Sequence, residues 1–220
     1  NQLGDKSTLN YLCAAGVCFM TLVSLNSFLR KSKWFIENNI KEPNLLDFLD
    51  IVSLGTICDV VPLVGLNRAI VKQGLKILNQ KKNLGLKTLI DICKIEKKAS
   101  TYHLGYVLGP RINAGGRVGK CSHGANLLLN NDPKESFKLA SELENFNKDR
   151  KKIEGELLNS VLNIVDKNLN DPVLILSGKN WHEGIIGIIA SRLKDKFNKP
   201  TIIISLNNKV GKASARSISG

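Results

Sequence analysis

Apolar positions recur at helical spacing from Leu12 to about Asn168, and strand-like runs take over after Asp171-Pro172. Leu12–Leu29 is apolar almost throughout, with Ala14, Ala15 and Gly16 among its first residues, and predicts a buried helix. In Asn44–Ser53 the residues Leu45, Leu46, Leu49 and Val52 fall on one helical face, with Asn44 as candidate cap. Asn67–Leu78 predicts an amphipathic helix with Ile70, Val71, Leu75 and Leu78 inward, Leu84–Ile95 another, and Ser122–Asn130 a short one. Asp132-Pro-Lys-Glu135 is a strong helix start: an acceptor at the cap, proline at the first position, Glu at the third. From there apolar residues at 139, 143, 146, 153, 157, 161 and 164 predict one long helix to about Asn168.

The end of the chain has a different rhythm. Val173–Ser177 and Pro200–Ser205 predict strands, Trp181–Leu193 a loop turning into a helix, and Lys212–Ser217 a third strand after a hairpin turn at Asn207-Asn208. Strand–helix–strand–strand makes a separate small α/β unit. The expected fold is therefore α/β in two lobes joined by a long helix, with boundaries at 1–132, 133–170 and 171–220.

A hydrophobic share of 43% in 220 residues is enough for a packed core, and no apolar run has the length of a bilayer span. The chain begins at Asn1 and closes on Ser217-Ile-Ser-Gly220 without a cap or tail, so it reads as a piece of a longer protein. Cysteines at 13, 18, 58, 93 and 121 show no paired spacing and read as reduced thiols of a cytoplasmic protein, mostly in the core.

The net charge of +13 is unevenly placed. Residues 51–135 carry thirteen basic side chains against five acidic, and 171–220 eight against three, while the other stretches balance. That suggests a polyanionic partner, most simply nucleic acid. The alternative is a Lys-rich surface kept for solubility.

One basic segment contains Gly109-Pro-Arg-Ile-Asn-Ala-Gly-Gly-Arg117. Arginine presents a planar fork that fits phosphate oxygens, and glycine lets a backbone approach a ligand closely. The stretch reads as an ordered loop gripping a phosphate through Arg111, Asn113 and Arg117, or as a structural turn with solvated arginines. Ala114–Cys121 is not a nucleotide-binding P-loop: Ala114 stands where the first glycine belongs and Cys121 where Ser or Thr would hold metal. Asp59 is the one acid in the apolar run Ser53–Leu63. A carboxylate there must be paired, hydrogen-bonded or metal-bound, so Asp59 is a candidate ligand for a hard divalent cation or a capping aspartate. His103, His123 and His182 do not form a metal motif. His182, in the loop before a helix, is the best placed of the three. Ser214 has no histidine at a spacing that would activate it.

Three stretches, Leu54–Leu63, Leu108–Val118 and Trp181–Arg192, together resemble the RecJ family of single-strand-specific 5′→3′ exonucleases, within the DHH phosphoesterase superfamily. Ala213-Ser-Ala-Arg-Ser217 is similar to that family's Gly-Ser-Gly-Arg-Ser, with alanines for both glycines. The resemblance implies the C-terminal part of a DHH lobe, a connecting helix and a DHHA1-type lobe. It implies a phosphodiester hydrolase on single-stranded DNA in repair and recombination, using Mn²⁺ or Mg²⁺ in a two-ion site. It implies Asp59 as a metal ligand and, with His182, a catalytic residue, Arg117, Ser214 and Arg216 as holders of a terminal 5′-phosphate, and Asn113, His182 and Arg192 as further cleft residues. A single-strand-binding protein and a helicase are the implied protein partners, and no membrane is.

The family's earlier aspartate motifs and its Asp-His-His triplet are not in this sequence, and Asp47 and Asp50 are in a different context. The expectation is that these residues alone do not assemble the two-metal site that in-line displacement uses. Two relatives remain as alternatives. A phosphoesterase of oligonucleotides or cyclic dinucleotides would carry Gly-Gly-Gly-His where this chain has Ser-Ala-Arg-Ser. A catalytically silent DNA-binding relative would not need Asp59.

Overall fold

The computed structural model describes residues 7–165, 171–208 and 210–219. They form a helix-rich α/β chain in two compact units, Asn1–Arg111 with Gly124–Ser141, and Ile112–His123 with Glu142–Gly220. These units divide the chain elsewhere than at 132/133 and 170/171. No helix among the described residues is long and apolar enough to cross a membrane.

The first unit holds α1 (Ala14–Lys31), α2 (Trp34–Glu37), α3 (Leu49–Cys58), α4 (Gly65–Leu78) and α5 (Leu84–Ile92). Phe19 of α1, Leu49 and Val52 of α3, and Ile70 and Ile77 of α4 make its core. Asn67 is buried and donates from Nδ2 to the carbonyls of Tyr11 (3.0 Å) and Pro62 (2.9 Å), which tethers the start of α4. Asn83 caps α5 by accepting the Leu86 N–H at 2.9 Å.

Three expectations need correction here. α1 forms, but it is not buried: Phe19 packs inward while Leu22, Leu25 and Phe28 stay exposed, because only one stripe of the helix meets α3. The segment after Asn44 is a 3₁₀ turn, Leu45–Phe48, with α3 beginning only at Leu49 and running on to Cys58. Of the cysteines, only Cys13 is buried, and none of the five forms a disulfide; Cys18, Cys58 and Cys121 are exposed.

A π-helical segment, His103–Leu108, leads into α6 (Gly109–Val118), followed by α7 (Ser122–Leu129) and α8 (Pro133–Val165). α6 and α8 each contribute residues to both units. Gly109–Arg117 is thus a helix and not the expected loop. Pro110 directly follows the π-helical turn, whose ladder the Gly109 N–H continues to the Leu104 carbonyl, and Ala114 and Gly115 are buried against neighbours. Packing overrides the poor helix propensity of three glycines. α8 starts as its sequence dictates, with Asp132 Oδ1 accepting the Glu135 N–H at 2.8 Å. Its expected end near Asn168 lies outside the described residues.

The second unit is built on β1 (Leu174–Lys179), α9 (Glu183–Phe197), β2 (Thr201–Asn207) and β3 (Val210–Arg216). β1 and β2 are parallel, as a strand–helix–strand crossover requires, and β2 and β3 are antiparallel. Asn207 pairs with Val210, and Asn208 turns the hairpin at φ +47°, a conformation asparagine tolerates. Leu157 and Val161 of α8, Leu174 and Leu176 of β1, Ile185 and Ile189 of α9 and Ile203 of β2 close one core.

Candidate functional site

Within the second unit, α6, the first turns of α9 and one face of β3 surround a cavity of about 620 Å³. α6 supplies Asn113 and Arg117, one helical turn apart. β3 supplies Lys212, Ser214 and Arg216; alternation along a strand puts all three on one face. α9 supplies Glu183, Gly184 and Gly187.

The start of α9 is fixed by its own cap. His182 Nδ1 accepts the Gly184 N–H at 3.2 Å, so this histidine orients the helix start and is not itself part of the cavity lining. Arg117 Nη1 donates to the Gly184 carbonyl at 3.1 Å. Gly184 is required at that point, because a Cβ there would stand 2.3 Å from the Arg117 carbonyl oxygen. Arg216 Nη1 donates to Ser214 Oγ (3.1 Å) and to the Ala215 carbonyl (2.7 Å). Neither Arg117 nor Arg216 makes an ion pair with a carboxylate among the described residues.

Arg117 is half-buried with two other arginines near it. Burial is the main cause that lowers its guanidinium pKa; Arg150 and Arg216 push the same way by charge repulsion, while Glu154 opposes them. An anion entering the cavity relieves that repulsion. Glu154 is buried at 3% side-chain exposure and takes Arg150 Nη1 at 2.7 Å and, as a second ion pair, Arg192. Arg150 is further pinned by Asn147 Oδ1, at 3.1 Å from Nη2.

The expected site residues therefore separate. Asn113, Arg117, Ser214 and Arg216 meet at one cavity. Arg192 engages Glu154 and does not line it. Arg111 belongs to the other unit and donates from Nη1 to the Val107 carbonyl at 2.8 Å. Asp59 also belongs there, and contrary to expectation it is exposed, as the C-cap of α3. The reason is that α3 runs to Cys58 and ends by turning outward at Val60, which is 88% exposed at φ +55°. A β-branched residue in that conformation is strained.

Among the described residues no group of three or more His, Cys, Asp or Glu could hold a metal ion. Asp59 can supply one of the several oxygen ligands that a hard cation gathers, and the described residues do not complete the set, so no chemical step is derived through a metal. His103 and His123 have structural partners: Ser100 N–H donates to His103 Nδ1 at 3.0 Å, and His123 Nε2 lies 2.6 Å from Glu142 Oε2.

Sequence reasoning missed Lys212, Glu183, Arg150 and Glu154. The period of two along β3 pointed to Lys212 once Ser214 and Arg216 were chosen. Arg150 and Glu154 look like an ordinary helical i, i+4 surface pair, and nothing local marks Glu154 as buried.

Residues 170–220 match the DHHA1 domain family. Over 217 residues the chain is 39% identical to the single-stranded-DNA-specific exonucleases RecJ of Salmonella typhimurium and of Escherichia coli, each match covering 95% of this chain and 38% of the relative. The chain thus spans about 38% of the length of these curated relatives. A solved exonuclease RecJ bound to manganese matches 98% of this chain and 51% of its own at 28% identity, with a TM-score of 0.79. RecJ of Thermus thermophilus in complex with Mn²⁺ matches 84% of this chain and 27% of its own at 29% identity, with a TM-score of 0.73.

Proposed function

We propose, on the premise that this chain is a homologue of the RecJ single-stranded-DNA-specific exonucleases and carries a DHHA1 domain, that its α6–α9–β3 cavity holds the 5′-phosphate of a DNA strand. The protein it serves is a phosphodiester hydrolase that digests single-stranded DNA from the 5′ end. The observation that carries this reading is the convergence of Arg117, Ser214 and Arg216 on one cavity.

Three cations and one carboxylate, Arg117, Lys212, Arg216 and Glu183, give the lining a charge of +2. A terminal phosphate carries about −1.5 to −2 at neutral pH, and an internal phosphodiester only about −1. Two guanidinium groups and a hydroxyl can meet the three terminal oxygens with charge-assisted bonds. The first turn of α9 adds the positive end of its dipole. Held by its end, the strand offers its next phosphodiester at a constant distance, which imposes polarity and removes one nucleotide at a time.

A divalent cation, Mn²⁺ or Mg²⁺, would supply Lewis-acid activation of the phosphodiester when bound. Asp59 offers one oxygen ligand toward it. Asn113, beside Arg117 on α6, orients the phosphate as a neutral donor. The test is affinity of the full chain for single strands ending in 5′-phosphate or 5′-hydroxyl. A preference for the phosphate that vanishes in Arg216→Ala supports the reading, and equal affinity in the wild type overturns it.

A further inference from the structure

The cavity contains a carboxylate for which holding a phosphate has no obvious use. Glu183 is the first residue of α9, and its Oε2 lies 2.6 Å from Lys212 Nζ across the lining. The Lys212 hydrogen bond is the main cause that holds the Glu183 carboxyl below its ordinary pKa, with further lowering from Asn207 and His182. Lys212 is also the only one of the three cavity cations tied to an acid: Arg117 spends a donor on the Gly184 carbonyl, and Arg216 on Ser214 Oγ and the Ala215 carbonyl.

Glu183 imitates a phosphate in two respects. A carboxylate in the first turn of a helix occupies the place where the helix favours an anion. It also takes up the ammonium group that an incoming phosphate would use. We infer that Glu183 is a built-in competitor for the bound phosphate, holding Lys212 until a phosphate displaces it and reclaiming Lys212 as that phosphate leaves. The inference rests on the phosphate-binding reading of the cavity given above.

The exchange is easy in both directions. The Lys212 and Glu183 side chains are 63% and 41% exposed, and pairs so exposed are weak. The chemistry gives such a competitor a purpose. If water attacks the second phosphorus and the O3′ of the first nucleotide departs with a proton, the product is a 5′-mononucleotide. Its phosphate still sits in the cavity, while the shortened strand has gained a new 5′-phosphate. The two have the same headgroup, so the site must let go of one before it can hold the other. A carboxylate that competes for Lys212 favours that release.

The test uses the full chain with 5′-thymidine monophosphate and, as control, thymidine. Glu183→Gln is expected to bind the monophosphate about two- to five-fold tighter, the reach of one exposed ion pair. That gain should shrink as salt is raised, since exposed charges are screened. Lys212→Ala should cost more affinity in the Glu183→Gln background than in the wild type, because only there is the lysine free from the start. Unchanged or weaker monophosphate binding by Glu183→Gln overturns the inference, as does an equal cost of Lys212→Ala in both backgrounds. If the wild type binds the monophosphate no better than thymidine, the phosphate-site reading itself falls. If it does prefer the monophosphate and only the Glu183 effects are missing, the competitor alone is lost.

Discussion

Arg117 donates from Nη1 to the main-chain carbonyl of Gly184 at 3.1 Å, joining α6 to the start of α9 across 67 positions of sequence. The contact uses one edge of the guanidinium and leaves other N–H groups for the cavity. It also runs both ways in space, since a Cβ on Gly184 would meet the Arg117 carbonyl. The cation and the helix end that would share an anion are thus held together before any ligand arrives.

Arg117→Ala and Arg216→Ala are each expected to weaken binding of a 5′-phosphorylated single strand by roughly 1.5–3 kcal/mol, the scale for hydrogen bonds to charged groups. The loss on 5′-hydroxyl strands should be smaller, and Arg→Lys should not restore the difference, because lysine lacks the planar fork. Titrations with both end types check this; equal losses would reduce these arginines to backbone tracking.

Gly187 separates stability from binding. A Cβ there would lie 3.1 Å from Ser214 Oγ and 3.2 Å from Arg216 Nη2, both cavity residues. Alanine favours a helix interior over glycine by about 0.5–1 kcal/mol. Gly187→Ala should therefore keep or raise Tm while lowering phosphate affinity by about 1–1.5 kcal/mol, the worth of one displaced hydrogen bond. Unaltered affinity in a folded variant would remove Gly187 from the site.

Glu154 is expected to be among the costliest acids to lose. Glu154→Ala leaves Arg150, 14% exposed, without a carboxylate, and breaking such a buried pair costs about 3–5 kcal/mol. Asp91→Asn, which breaks the exposed pair with Lys81, should stay within about 1 kcal/mol of the wild type. Urea unfolding of the two variants decides whether burial governs the difference.

Asp50 predicts a pH dependence. It is buried, and desolvation is the main cause that raises its carboxyl pKa, opposed by the Ile51 N–H at 2.7 Å. With the folded value above the unfolded one, the folded state prefers the protonated acid. Its contribution is complete below the unfolded pKa and is lost as pH rises through the folded value. Asp50→Asn should therefore melt close to the wild type in acid, and increasingly above it as pH rises through the raised value. A gap in Tm that narrows with rising pH would reverse the assignment.

Asp59 is exposed at the end of α3, so Asp59→Ala should alter stability by no more than about 0.5 kcal/mol. If Asp59 is a metal ligand of the active protein, the same variant should abolish Mn²⁺- or Mg²⁺-dependent digestion of single-stranded DNA. Near-normal digestion by the folded variant would end that role.

The local pattern of the chain determined a good deal by itself. Asp132-Pro133 marked the start of α8, because an N-cap acceptor and a first-turn proline act within four residues. The runs around Ile175 and Ile203 marked β1 and β2, and the length of the segment between them required a crossover helix. The resemblance singled out Arg117, Ser214 and Arg216, which line one cavity. The tertiary structure alone decided the rest. Burial against α8 and its neighbours makes a helix of the glycine-rich Gly109–Val118, whose composition argues for a loop. The outward turn at Val60 exposes Asp59, although its neighbours in sequence are apolar. The Lys212–Glu183 and Arg192–Glu154 pairs join elements 29 and 38 positions apart. Capping, turn and periodicity signals act over a few residues, whereas burial and ion pairing depend on which faces meet when the core closes. No spacing along the chain records that.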